Sequence, residues 1–138
     1  MKGDDLQQRF DAFVDDVITA ARQIPKGRGA AHIAEQLITS SSSAGAHYRE
    51  ARGSESVADW LSKLAGSLRE AREAEYWLGR ARAQGFISAE TAIELRGEAN
   101  ELIAILVACR VTTKKNQRRK GGESAVCETQ DTPGTPER

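Results

Sequence analysis

A chain of 138 residues, 39% hydrophobic and 29% charged, suffices for one domain with a modest core and is too short for several. Twenty basic and twenty acidic side chains cancel, which excludes a global field of either sign. Alanine, Glu, Arg and Leu dominate, and Pro25 is the one proline before residue 133, so the composition favours helix throughout.

The first helix is expected from about Asp4 to Ile24. Leu6, Phe10, Phe13, Val17 and Ile24 recur at helical spacing, with Ala20 and Ala21 between them. Asp4 or Asp5 can cap its first turn, and "PKGRG" ends it. The second helix holds the least orthodox stretch of the chain, "TSSSSAGAHYREARG" at residues 39–53. Four serines and a glycine suit a surface loop. Yet Ala30, Ile33, Leu37, Ser40, Ala44, Tyr48 and Ala51 fall within about 80° of one another on a helical wheel. The phase therefore predicts one continuous helix over 30–51, with Ser40 and Ala44 at the centre of its buried stripe. Small residues there admit a close neighbour, and serine hydroxyls can bond back to the carbonyl four residues earlier. Gly45 weakens such a helix by roughly 1 kcal/mol relative to alanine.

Gly53 and Ser54 break the pattern, and Ser56 with Asp59 resembles a capping box. The third helix is expected to reach Gln84, with Gly85 as its C-terminal cap and a stripe of Val57, Leu61, Leu64, Leu68, Ala71, Glu75 and Leu78 beside Trp60. Ser88 and Glu90 start a fourth helix. Its broad stripe, Leu95, Ala99, Leu102, Ile103 and Leu106 with Cys109 at the edge, fades near Thr113. The expectation is an all-α, antiparallel up-and-down four-helix bundle over residues 1–115, followed by a disordered polar tail over 116–138. "MKGDDLQQRF" puts acids where a secretory signal needs a basic start and an apolar core. No apolar run reaches bilayer-spanning length, and two cysteines make no disulfide framework. A cytoplasmic protein with reduced thiols and no membrane partner is expected.

Catalytic and metal chemistry find little support. Di-iron bundles use Glu-x-x-His pairs, whereas this chain has the reverse order, His32…Glu35 and His47…Glu50. On one continuous helix the two histidines lie ~22 Å apart, too far to share a metal. There is no Cys-x-x-Cys, phosphate-cradling glycine motif or nucleophile elbow, so no catalytic residue, metal or cofactor is assigned. Glu75 falls inside an apolar stripe. Either it is buried against a partner such as His47, Tyr48 or Arg49, or it reaches solvent near the bundle end. Trp77 points away from the core stripe on a face shared with Gly66, Glu70 and Glu73. A scattered exposed aromatic is ordinary, but tryptophan favours interfaces, so Gly66 and Trp77 are read as an oligomer contact.

Charge is unevenly placed. Residues 1–113 carry 14 basic and 16 acidic groups; Lys114, Lys115, Arg118, Arg119 and Lys120 then give +5, and residues 121–138 carry a net −3. Such a basic run can bind phosphate without reading sequence, or can serve as a solubilising segment that complements a helix dipole. It has no interleaved aromatic for base stacking.

The stretch "SSSSAGAHYREARGSESVADWLSKLAGSLREAREAEYWL", residues 40–78, resembles the four-helix-bundle family associated with intervening sequences in 23S ribosomal RNA genes. Ser41, Ser43, Gly45, Ala46, Tyr48, Arg49, Glu50 and Ala51 match the family's serine–glycine–tyrosine motif, and Glu70, Glu73, Tyr76, Trp77 and Leu78 match its second one. His47 stands where the family usually has asparagine, and "EANELIAILVACRVTTKK" looks like its last helix. The resemblance covers roughly residues 6–115. It implies a homo-oligomer, typically a pentamer, and kinship with the accessory protein of diversity-generating retroelements, which associates with a reverse transcriptase and nucleic acid. It carries over no catalytic residue. The expected function is a non-enzymatic, self-assembling adaptor associated with RNA or DNA, with a reverse transcriptase or other protein as a further partner; the alternative is a protein-interaction scaffold with no nucleic-acid role.

Overall fold

The computed structural model describes residues 3–120. Four helices follow one another in chain order: α1 (Gly3–Arg22), α2 (Arg28–Arg52), α3 (Val57–Ala83) and α4 (Ala89–Arg119). Their short connections make sequential helices antiparallel neighbours, and the result is the expected up-and-down bundle. Packing is densest between α2 and α3 and sparsest along the α1–α4 seam. None of the described helices is long and apolar enough to cross a membrane.

Each helix supplies one stripe to the core. Phe10, Phe13 and Val17 come from α1, Leu37, Ala44 and Tyr48 from α2, Leu64, Leu68, Ala71 and Leu78 from α3, and Ala99, Leu102 and Leu106 from α4. The Phe10 and Tyr48 rings stack with centroids 5.4 Å apart. Ser56 caps α3 by accepting the Asp59 backbone N–H at 3.0 Å, and Ser88 caps α4 by accepting that of Thr91 at 3.0 Å. Gly85, with φ 75°, closes α3: its N–H donates to the Arg82 carbonyl and that of Phe86 to the Ala81 carbonyl. That left-handed residue explains why glycine stands there.

The serine stretch is helix, not loop. Ser40 and Ser41 are buried, and their hydroxyls donate to the carbonyls of Gln36 and Leu37 at 2.7 and 2.8 Å. Burial therefore leaves neither hydroxyl unpaired. Small residues serve two neighbours at once. A Cβ on Gly45 would meet Val14 of α1 at 3.4 Å, and on the other side the Ser67 hydroxyl of α3 donates to the Ala44 carbonyl at 2.8 Å.

The expected boundary at residue 115 falls inside α4, which continues to Arg119. Thr113 anchors the helix just before this extension. It is fully buried, donates to the Cys109 carbonyl at 2.8 Å and accepts the Trp60 indole N–H at 3.0 Å, so α4's last turns are clamped to the first turns of α3. Basic residues in the final turn then complement the helix dipole. The tail expected over 121–138 lies outside the described residues. Thr113→Val keeps the shape but leaves the Trp60 N–H buried without its acceptor, so a loss of about 1–3 kcal/mol is expected in denaturant unfolding; an unchanged midpoint would show that the clamp contributes nothing.

Candidate nucleic-acid interface

Helical continuation changes what the basic run is. Lys114, Lys115, Arg118 and Arg119 occupy the last turns of α4, Lys120 is its C-cap residue, and all five are exposed. Among the described residues no carboxylate pairs with any of them. Lys114 with Arg118, and Lys115 with Arg119, set like charges four residues apart, a spacing that destabilises an isolated helix by a few tenths of a kcal/mol. Five cations within about 10 Å of helix length form a compact anion-attracting end, and nothing in the described bundle neutralises it.

The other residues singled out in the sequence have mainly structural placements. Ser41 and Gly45 are buried, Tyr48 is a core ring, and Ser43 is partly buried. His47 donates its Nδ1–H to the Ser43 carbonyl at 2.8 Å, which fixes that tautomer. Its ring lies where a Cβ on Gly66 would be, 2.4 Å from Cδ2. Gly66 is thus the α3 half of an α2–α3 contact within the chain, and its burial there gives no support to its reading as an oligomer contact. Ala46, Arg49 and Glu50 are exposed, Glu50 lies 3.9 Å from Lys63, and Glu70 is partly exposed.

Glu75 does have a partner, but on α4 rather than α2. Arg96 donates to Glu75 Oε2 through Nε at 2.8 Å and Nη2 at 2.6 Å. Helical phase placed Glu75 beside the core; which helix lay opposite depended on the topology. Both side chains keep substantial contact with water, so Arg96→Ala is expected to cost less than about 1 kcal/mol. A loss of several kcal/mol in thermal unfolding would mark a buried pair instead.

Trp77 is partly buried against the core, with its ring edge-on to His32 of α2 at 5.5 Å and to Tyr76 at 5.1 Å. Its outward angle on α3 is covered by a neighbour within the same chain, so the wheel position by itself does not place it at an oligomer interface. Tyr76, by contrast, is 55% exposed, and the Arg80 guanidinium sits 5.9 Å above its ring. Arg69 and Arg72 are exposed on the same ridge, and no carboxylate among the described residues pairs with Arg69, Arg72 or Arg80. This arginine–tyrosine ridge was missed in the sequence; the spacing 69, 72, 76, 80 on one helix face was the available signal.

Along the α1–α4 seam Arg9 grips Glu98 through Nε at 3.0 Å and Nη2 at 2.7 Å and reaches Glu101 at 3.2 Å. The hydrogen bond to Glu98 raises the Arg9 pKa above the ordinary arginine value. Among the described residues no group of three or more His, Cys, Asp or Glu could hold a metal ion.

A family model described as 23S rRNA-intervening sequence protein matches residues 5–108. Among solved structures, a protein of unknown function from the S23 ribosomal protein family of Bacteroides thetaiotaomicron is 25% identical, with a TM-score of 0.71; the match covers 76% of this chain and 97% of that one. A comparison with curated proteins gave no match. The family match ends at residue 108, short of the cationic end of α4.

Proposed function

The chain belongs to the 23S rRNA-intervening sequence protein family, and on that premise we propose that it is a non-enzymatic, self-associating adaptor that holds RNA through the cationic end of α4. The observation that carries this reading is the set of five exposed cations, Lys114, Lys115, Arg118, Arg119 and Lys120, without a carboxylate partner among the described residues. The phosphodiester backbone of a nucleic acid is the polyanion that rewards such a cluster, because each contact releases condensed counterions. Tyr76 on the arginine ridge of α3 offers a face for an unpaired base. Joining several copies multiplies the contacts and raises avidity without any new chemistry.

Anisotropy titration of a labelled single-stranded RNA tests the reading. The wild-type chain is expected to bind at low salt, and a variant with all five cations changed to glutamine is expected to lose most of that affinity. Failure of the wild type to bind any RNA or DNA at low salt would favour a scaffold for proteins alone.

A further inference from the structure

Two contacts fix the walls of the outer groove between α3 and α4. Trp60 donates to Thr113 near one end, and Arg96 donates to Glu75 near the other. Arg96 thereby marks the flank of α4 that meets α3. Lys114 falls on the same line five turns later, and Arg110 and Arg118 lie within about 40° of it. On α3, Arg72 and Tyr76 lie about 60° and 100° outward of Glu75, at the lip of the same groove. Ala58, Ser62 and Ala65 wall the stretch opposite Arg110 and Lys114, so no long side chain covers the groove there.

The unpaired charge along this groove is positive. Arg72 and Arg80 towards one end, and Lys114 and Arg118 at the other, are exposed and have no carboxylate partner among the described residues. Arg110 lies between them. It is half-buried, and its Nε–H is buried without an acceptor among the described residues. Desolvating part of a guanidinium in this way is costly, and an anion in the groove would offset the cost. The acids of these helices are engaged or face elsewhere. Arg96 holds Glu75, and Arg9 of α1 holds Glu98 and Glu101. Glu70 and Glu73 share the flank of Gly66 and Trp77, which meets α2.

We propose that this groove holds one unpaired strand of RNA, with its phosphates on Arg118, Lys114, Arg110 and Arg72 and one base stacked on Tyr76. The ring of Tyr76 is exposed, Arg80 stands over it, and Trp77 packs edge-on against it and restrains it. A restrained aromatic beside a guanidinium suits a base and its adjoining phosphate. A duplex presents the same phosphates but keeps its bases stacked inside, so it can engage the cationic end of α4 and not Tyr76. From Ala58, opposite Lys114, to Tyr76 the groove runs about 27 Å, the length of about eight stacked nucleotides at about 3.4 Å each. Lys115 and Arg119 lie about 100° and 140° round α4 from Arg96, off the groove, so Arg110 and Arg72 take their place on the strand. This deepens the RNA reading of the proposed function and rests on it.

Anisotropy titrations on the full chain test the groove, with a labelled single-stranded RNA of about 12 nucleotides and with the same strand annealed to its complement. Tyr76→Ala is expected to weaken single-strand binding about five- to a hundredfold, the range of one base–aromatic stack, and to leave duplex binding unchanged. Tyr76→Phe, which keeps the ring, is expected to retain single-strand binding. Arg72→Gln/Arg110→Gln is expected to make the log–log salt slope for the single strand shallower by about 1.4, the contribution of two phosphate contacts. Circular dichroism checks that each variant keeps its helices. Single-strand affinity untouched by Tyr76→Ala, or a slope untouched by Arg72→Gln/Arg110→Gln, with binding still lost when the five cations of α4 become glutamine, would overturn the groove and leave the cationic end standing. Equal loss for strand and duplex in Tyr76→Ala would overturn the recognition of an unpaired base. A wild type that binds no RNA at low salt would overturn both the groove and the function it rests on.

Discussion

Ala44→Leu is expected to destabilise the bundle by about 1–3 kcal/mol, a fall of roughly 3–15 °C in Tm for a domain of this size. Ala44 is fully buried, its carbonyl accepts the Ser67 hydroxyl of α3, and its neighbour Gly45 lies against α1. Three extra heavy atoms would have to displace one helix or the other, because packed interiors hold few voids of that size. Ala46→Leu supplies the control: the same substitution, two residues away and exposed, should change Tm little. Equal effects at the two positions would mean that the serine stretch is not wedged between α1 and α3.

The readability of the sequence divided along a physical line. Whatever one helix fixes alone was visible. The phase of Ile33, Leu37, Ser40 and Ala44 located a buried stripe through four serines, and Ser56, Ser88 and Gly85 marked the ends they cap. Whatever depends on a second helix was not. Thr113, where the stripe of α4 faded, is held by an indole 53 residues earlier in the chain. Glu75 stood correctly beside the core, but its partner Arg96 is chosen by which helix flanks α3. Trp77 pointed outward on the wheel of α3 and is nevertheless partly covered by α2 through His32. The stripe expected on α4 included Ile103, which packs against the core, and did not include Val107 and Val111, which are exposed on the other side of the helix.

The second large effect concerns the candidate site. Neutralising Lys114, Lys115, Arg118, Arg119 and Lys120 is expected to remove most RNA affinity while leaving the fold intact, since all five are exposed and glutamine is a good helix former. The bundle before them is net −2 over residues 1–113, so little attraction should remain once they are gone. Five phosphate contacts per chain set an upper bound of about −3.5 on the log–log salt slope for single-stranded RNA. Glu123, Glu128, Asp131 and Glu137 give residues 121–138 a net −3 and can compete with phosphate for the same cations, so the full chain should show a shallower slope and removal of residues 123–138 should raise affinity.

The salt dependence of RNA binding is the most direct test of the cationic end of α4. Anisotropy titrations at several salt concentrations, on the wild type, the five-glutamine variant and a chain ending at Gly122, should show affinity falling with salt for the wild type, falling more steeply from a higher starting value for the chain ending at Gly122, and nearly absent for the five-glutamine variant. Equal affinity and equal slope with and without the five cations would contradict the assignment of RNA binding to this segment.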